Sequence, residues 1–398
     1  MKIVDIEIVQ VAVPLEAPIR WAFGLRSHVT RNIVRLRLDA GVEGIGETVG
    51  GDTVGAILRS AGRTIVGESP FALERITNKL KMHSYFAGYA GLAAVSGLEM
   101  ACWDAIGKLA GRAVHDLMGG LWEEEIEFSG YLFYRYQSAD GRKGGESSPA
   151  EIVGQAEELA VRHGFRAFNL KGGVFAPDIE VATLAALRTR FGPEVRLRID
   201  PQANWAYTTA LAWAPRLREI GLEFLEDPVW GMDAMARLRR EVAIPFASNM
   251  WVCDPETLQA AVRLMPTDII LADPHRWGGL LACKKLAAVA DTLALSLSVH
   301  SAAELGVSTA ACLHLAASTP CMRVALHTHY PYQTDDIVTE PFTFRQGKVA
   351  VPKGPGLGVS LDEAKLSRYA ETYREQAATS VPAHVRDPLR PDYVPRPY

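Results

Sequence analysis

From Trp122 onward the chain repeats one texture, a short apolar run followed by a helical segment, and that repetition limits what it can fold into. The candidate strands are Glu127–Phe133, Phe165–Lys171, Val195–Asp200, Leu222–Glu226, Pro245–Asn249, Asp268–Asp273, Leu295–His300 and Arg323–His329. Antiparallel neighbours can be joined by a tight turn, whereas parallel neighbours need a crossover of about a dozen residues or more, usually a helix. Strands alternating with helices therefore predict βαβ units and a parallel sheet. Eight such strands in about 200 residues suit a closed (β/α) barrel better than an open sheet, which the alternation alone leaves available. One crossover is marked at both ends: Ser148-Pro149-Ala150-Glu151 reads as a capping box with proline in the first turn, and Gly164 reads as its stop.

The flanks differ from this core. Residues 1–120 read as an α+β capping domain, with strands near Ile3–Val13, Asn32–Leu38 and Val42–Thr48 and a longest helical run at Leu92–Ala110. Val34, Leu36 and Leu38 alternate with Arg35 and Arg37, as in a sheet with one wet face. Trp21–His28 reads as a loop. Residues 121–330 are then the barrel, and residues 331–398, with a strand at Lys348–Val351 and a helix near Asp362–Thr379, are expected to pack back on the capping domain.

Charge and composition exclude several functions. Lys+Arg number 42 against 46 Asp+Glu, a formal charge of -4, so neither a nucleic-acid footprint nor a polybasic membrane tether is present. No apolar run reaches the roughly 18 residues of a membrane span, and MKIVDIEIVQVAVP alternates like a strand rather than a signal peptide. Five separated cysteines without a CxxC pair read as reduced. A cytoplasmic protein is expected, a homo-oligomer with a small-molecule carboxylate as substrate and no nucleic-acid or membrane partner.

The chemistry lies in where the polar residues fall. Successive middle strands end on Lys171, Asp200, Glu226, Asn249, Asp273 and His300, at separations of 29, 26, 23, 24 and 27 residues, about one βα unit each. In a barrel those ends converge on one face, where active sites form. Asp200, Glu226 and Asn249 are hard oxygen donors on consecutive strands and favour Mg²⁺; Mn²⁺ or ion pairs with nearby arginines are the competing readings. Asp273 and His300 on adjacent strands pair as a carboxylate-oriented general base or acid, or as a buried structural pair. Lys171, across the ring of strand ends, is a second candidate base or a solvated charge. Two bases flanking Mg²⁺ suit removal of the weakly acidic proton next to a carboxylate. Trp21, Trp103 and Trp122 read as packing aromatics.

These residues carry a resemblance that spans nearly the whole chain. Leu170-Lys171-Gly172-Gly173-Val174, Asp200-Pro201, Glu226-Asp227-Pro228, Ser248-Asn249-Met250, Asp273-Pro274-His275 with Trp277, and His300-Ser301 resemble the enolase superfamily, in its mandelate racemase/muconate lactonizing enzyme branch. Asn249 as third ligand is most similar to the glucarate dehydratase group. The resemblance implies a modified (β/α)7β TIM barrel under an α+β cap completed by the C-terminal segment. It implies Mg²⁺ held by Asp200, Glu226 and Asn249, with Lys171 and the His300–Asp273 dyad as bases. The implied reaction is dehydration of an acid sugar, an aldarate or aldonate, through a metal-stabilised enediolate to a keto-deoxy acid. Tyr131, Asn169, Gln202, Ser301, His329, Arg386 and His28 match or neighbour substrate-contacting positions; in the Trp21–His28 loop the choice between His28 and Arg26 stays open.

Departures from the group's pattern bear on substrate. Asn169 stands where the family carries a lysine, which predicts that Lys171 is harder to deprotonate. Gln202 replaces an asparagine, and Ala302-Ala303-Glu304 replaces a stretch with amides, so a mono- or a diacid sugar fits equally. A racemase or epimerase using the same two bases is the alternative reading. A non-catalytic barrel is disfavoured, because all three ligands and both bases are present.

Overall fold

The alternation in the first 50 residues builds a three-stranded antiparallel meander in the computed structural model, which describes residues 1–378. Its strands are β1 (Ile3–Trp21), β2 (Gly24–Leu38) and β3 (Glu43–Val49). Trp21–His28 is not a loop: β1 and β2 continue as a long hairpin, with Ile19 opposite Arg26 and Trp21 opposite Gly24. Pro14 and Pro18 break the alternation that would have shown this, and a register shift between Pro14 and Ile19 absorbs them. Helices α1 (Asp52–Arg63), α2 (Leu73–His83) and α3 (Gly88–Ala110) cover the meander, and a short α4 (Val114–Leu117) leads out. The α3 backbone comes so close to β3 that a Cβ on Gly46 would lie 2.1 Å from the Gly97 carbonyl oxygen.

Eight parallel strands follow among the described residues: β4 (Glu125–Leu132), β5 (Ala167–Lys171), β6 (Arg196–Asp200), β7 (Phe224–Glu226), β8 (Phe246–Ser248), β9 (Ile269–Leu271), β10 (Ser296–Ser298) and β11 (Leu326–Thr328). Their spatial order runs from β10 down to β4 and then to β11. Hydrogen bonds from Leu297 N to Cys321 O (3.1 Å) and from His327 N to Val299 O (3.0 Å) join β10 to the β11 segment and close the barrel. The crossovers are α5 (Pro149–His163), α6 (Pro177–Phe191), α7 (Tyr207–Ile220), α8 (Met232–Glu241), α9 (Pro255–Leu264), α11 (Leu280–Thr292) and α12 (Gly306–Ala317), with the single-turn α10 (Pro274–Trp277) preceding α11. A short 3₁₀ turn, Tyr330–Tyr332, follows β11 in place of a helix, which gives the (β/α)7β form. The capping box on α5 is present, with Glu151 Oε2 accepting from Ser148 N at 2.9 Å, and Gly164 ends that helix in a left-handed conformation.

The chain after residue 331 touches both parts. A strand β12 (Lys348–Ala350) pairs antiparallel with β4 at the end of the barrel away from the site, so this stretch lies on the barrel rather than the cap. Helix α13 (Glu363–Ala378) then lies on the meander, where Glu363 pairs with Arg35 at 3.0 Å and the Tyr373 hydroxyl donates to Asp52. No helix among the described residues is long and apolar enough to cross a membrane.

Candidate active site

Strand ends and hairpin tip meet around a cavity of about 240 Å³. The barrel contributes Lys171, Asp200, Gln202, Asn249, His300, Ser301 and His329 to its lining, and the cap contributes Trp21, Phe23 and Arg26. Asn249, Asp273 and His300 lie one or two residues beyond β8, β9 and β10, where the chain leaves the ladder and the side chains turn to the barrel mouth. The loop after β5 is pinned by Glu180, whose carboxylate accepts from the backbone N–H groups of Gly173, Val174 and Phe175 at 3.0–3.1 Å. Gly173 is required there: its φ is +73° and a Cβ would meet the Pro201 carbonyl oxygen at 2.6 Å.

Lys171 Nζ donates to Asp200 Oδ2 at 2.6 Å, lies 3.9 Å from Glu226 Oε1 and sits 4.4 Å over the Tyr131 ring. Burial opposes its charge, but Asp200 and Glu226 outweigh burial and raise its pKa above the ordinary lysine value. Glu226 is buried; one oxygen, Oε2, accepts from Asn169 Nδ2 at 2.8 Å. Its other oxygen, Oε1, has no hydrogen-bond partner among the described residues. Burial, then the Asp200 charge, pushes the Glu226 pKa well above the carboxylate range. Asp227 accepts from Ser248 Oγ (2.6 Å) and from the backbone N–H groups of Asn249 (2.9 Å) and Met250 (3.0 Å), which fixes the turn carrying Asn249.

This donor set fits a hard divalent cation. Asp200, Glu226 and Asn249 end consecutive strands, offer only side-chain oxygen to a cation, and leave one buried carboxylate oxygen without a hydrogen bond among the described residues. The third donor is a carboxamide; among the described residues no group of three His, Cys, Asp or Glu side chains is placed to hold a metal. None of the three donors is ion-paired with arginine, so that competing reading falls away for the described residues.

Beyond β9 and β10 the predicted dyad is in place. His300 Nδ1 lies 3.2 Å from Asp273 Oδ2, and His275 Nδ1 lies 2.8 Å from Asp273 Oδ1. Burial disfavours the Asp273 charge, yet His275 and His300 together hold its pKa well below the usual value. Burial lowers the His300 pKa against the pull of Asp273. The buried Arg31 of the cap donates from Nη2 to His275 Nε2 at 2.8 Å and from Nε to Glu47 Oε1 at 2.6 Å. A guanidinium can only donate, so His275 Nε2 accepts and its Nδ1–H points at Asp273. Glu47 also accepts from the backbone N–H groups of Leu305 and Ser308, both at 2.8 Å, locking the cap to the start of α12.

The remaining expectations divide. Ser301 Oγ donates to Glu304 at 2.5 Å and accepts from His329 Nδ1 at 2.8 Å, so both side chains are oriented at the cavity wall. Gln202 bridges the halves: its N–H donates to Asp200 Oδ1 and its Oε1 accepts from Ala22 N, both at 2.7 Å. Tyr131 and Asn169 are fully buried beneath the cavity rather than on its lining; Tyr131 supports Lys171 and meets His327, and Asn169 holds Glu226. His28 lies off the lining beside Ser27, whereas Arg26, two residues earlier, lines it. Arg386 lies outside the described residues. Sequence reasoning missed Arg276, Tyr89 and Met250, and treated Trp21 as packing although it faces the cavity. Trp122 is 67% exposed and packs little. Two signals were available: Met250 belongs to the Ser248-Asn249-Met250 run, and Arg276 directly follows Asp273-Pro274-His275.

Known proteins match the sequence and fold along nearly the whole chain. The family "Mandelate racemase / muconate lactonizing enzyme, N-terminal domain" matches residues 3–119, and "Enolase C-terminal domain-like" matches residues 151–365. A probable glucarate dehydratase from Streptomyces coelicolor is 38% identical over 367 residues, covering 85% of this chain and 84% of that protein. An enolase structure from Thermobispora bispora, complexed with magnesium and formate, is 36% identical with a TM-score of 0.92, covering 100% of this chain and 99% of that one. An enolase structure from Mycobacterium smegmatis complexed with tartrate is 36% identical with a TM-score of 0.89, covering 97% and 93% of the two chains. With both halves matched by family models and a whole-chain structural match at 36% identity, the chain belongs to the enolase superfamily.

Proposed function

We infer that this chain is a Mg²⁺-dependent dehydratase of acid sugars, a carbon–oxygen lyase that removes the proton next to a carboxylate and expels the β-hydroxyl as water. The observation that carries this reading is positional: Lys171 on β5 and the His300–Asp273 dyad beyond β9 and β10 flank the oxygen donors of β6, β7 and β8 around one cavity. Asp200, Glu226 and Asn249 would hold the ion. When bound, it supplies positive charge that offsets the negative charge developing on the substrate carboxylate as the proton leaves.

The protein's own groups do the rest. Lys171 is the base on one face; bound to Asp200 as an ammonium in this structure, it would first release that proton to solvent and then, as the free amine, take the proton next to the carboxylate. His300, with its Nδ1–H fixed by Asp273, presents Nε2 to the cavity; in its imidazolium form it hands the Nε2 proton to the β-hydroxyl, the C–O bond breaks with loss of water, and the neutral imidazole is left. The enol left behind tautomerises to the keto-deoxy acid. His329 and Ser301 orient substrate hydroxyls from the wall. Trp21, Phe23 and Phe133 exclude water around the reacting carbon. The names of the Streptomyces coelicolor and Mycobacterium smegmatis relatives, a probable glucarate dehydratase and a complex with the hydroxy acid tartrate, support the choice of substrate class.

The test is a panel of aldarates and aldonates incubated with the protein and Mg²⁺, read for α-keto acid and, by NMR, for stereochemical exchange at Cα. Keto acid is expected. Exchange or epimerisation without keto acid would instead identify a racemase built on the same two bases.

A further inference from the structure

Among the described residues, most buried guanidinium groups have a carboxylate. Arg31 has Glu47, Arg135 has Glu16 and Glu146, and Arg198 has Glu223. Two half-buried arginines on the cavity lining break that pattern: Arg26, from the start of β2, and Arg276, from α10, make no ion pair within 4 Å among the described residues. Arg26 has one long contact, from Nη1 to the Ala302 carbonyl at 3.5 Å, and lies 5.5 Å from the Trp21 ring centroid. Arg276 stacks 4.7 Å over the Tyr89 ring, and its buried Nε has no hydrogen-bond partner.

A buried N–H donor without an acceptor is costly, and the guanidinium fork matches a carboxylate with two parallel hydrogen bonds. Position completes the argument. The oxygen donors that would take the reacting end of a substrate stand on β6, β7 and β8, whereas Arg276 follows β9 and Arg26 reaches the loop after β10. A chain acid extending from those donors past His300 brings its far end to both arginines.

We propose that Arg26 and Arg276 form a second anion subsite in this cavity and that the substrate is a dicarboxylate, an aldarate rather than an aldonate. The proposal rests on the acid-substrate reading above and selects between the two classes that reading leaves equal. A monoacid would place a neutral terminal hydroxyl against two cations that make no ion pair within 4 Å among the described residues.

The experiment measures binding and turnover separately. Calorimetry on the full chain with Mg²⁺ compares succinate, glutarate and adipate with the monoacids of matching length. The dicarboxylates are expected to bind about 10- to 100-fold more tightly, the range of a charge-assisted hydrogen-bonded contact. Arg276→Met and Arg26→Met should each narrow that gap about tenfold, with Arg276→Lys retaining part of it. Arg142→Met, at a side chain 85% exposed on a distant loop, should leave the gap as in wild type. Equal affinity for mono- and dicarboxylates, or an undiminished gap in folded Arg26 and Arg276 variants, overturns the subsite. Keto acid formed equally well from aldonates and aldarates overturns it too, while leaving the dehydratase reading intact. Selective, arginine-dependent binding of dicarboxylates without any keto acid supports the subsite and removes the dehydratase reading.

Discussion

Replacing His275 by leucine should move the titration of His300, two hydrogen bonds away. In the folded protein Asp273 takes the His275 Nδ1–H at 2.8 Å on one oxygen and faces His300 Nδ1 at 3.2 Å with the other. The first bond is obligatory in direction, because Arg31 occupies His275 Nε2 as a donor. Leucine removes it and leaves the backbone N–H of residue 275 as the remaining local donor to that oxygen. A hydrogen bond to a charged group contributes about 1.5–3 kcal/mol. Less satisfied, the Asp273 charge draws the His300 proton more strongly and favours the imidazolium. At about 1.4 kcal/mol per pKa unit, the His300 pKa should rise by about one unit. The assay is the pH dependence of kcat/KM, with His300→Asn assigning the limb, alongside NMR titration of labelled histidines. His275→Asn, whose amide can replace the Nδ1 donor, should shift the limb less. A folded His275→Leu protein whose profile superimposes on wild type refutes this coupling.

Two other perturbations follow from buried groups. Asp227→Asn puts an NH₂ against the backbone donors of Asn249 or Met250 or against Ser248, and should weaken Mg²⁺ binding about 10- to 100-fold by calorimetry while the fold persists; unchanged affinity counts against Asn249 as a ligand. Burial lowers the His314 pKa to about 4, with its ring between the His115 N–H and the Leu357 carbonyl. Below the unfolded value of about 6.5 the unfolded chain takes up a proton that the folded one refuses. That stability is complete above pH 6.5 and is lost as pH falls towards 4, at up to about 1.4 kcal/mol per unit. Denaturant titrations at pH 7 and pH 5 should show about 2 kcal/mol less pH sensitivity in His314→Gln than in wild type; equal sensitivity would show that His314 titrates normally.

What the sequence disclosed was periodic, and what it concealed was long-range. Apolar runs spaced by one βα unit placed Lys171, Asp200, Glu226, Asn249, Asp273 and His300 on one barrel face, because strand ends converge whatever the details of packing. The β1–β2 hairpin was hidden because Pro14 and Pro18 remove the alternation that marks a strand, and with it went the approach of Trp21 to the cavity and the choice of Arg26 over His28. Nothing local in the sequence ties Arg31 to His275, 244 positions away, since that contact exists only when the cap docks on α12. Asn169 looked like a substrate contact from its neighbour Lys171; it shares that face of β5, but its amide is taken up by Glu226.

The most direct measurement is keto-acid formation from an aldarate with Mg²⁺ in D₂O, comparing wild type with Lys171→Met and His300→Asn after each variant is shown to be folded. The two-base arrangement predicts Mg²⁺-dependent keto acid from wild type and a loss of about 10²-fold or more in each variant. Undiminished, Mg²⁺-dependent turnover in both variants would contradict it.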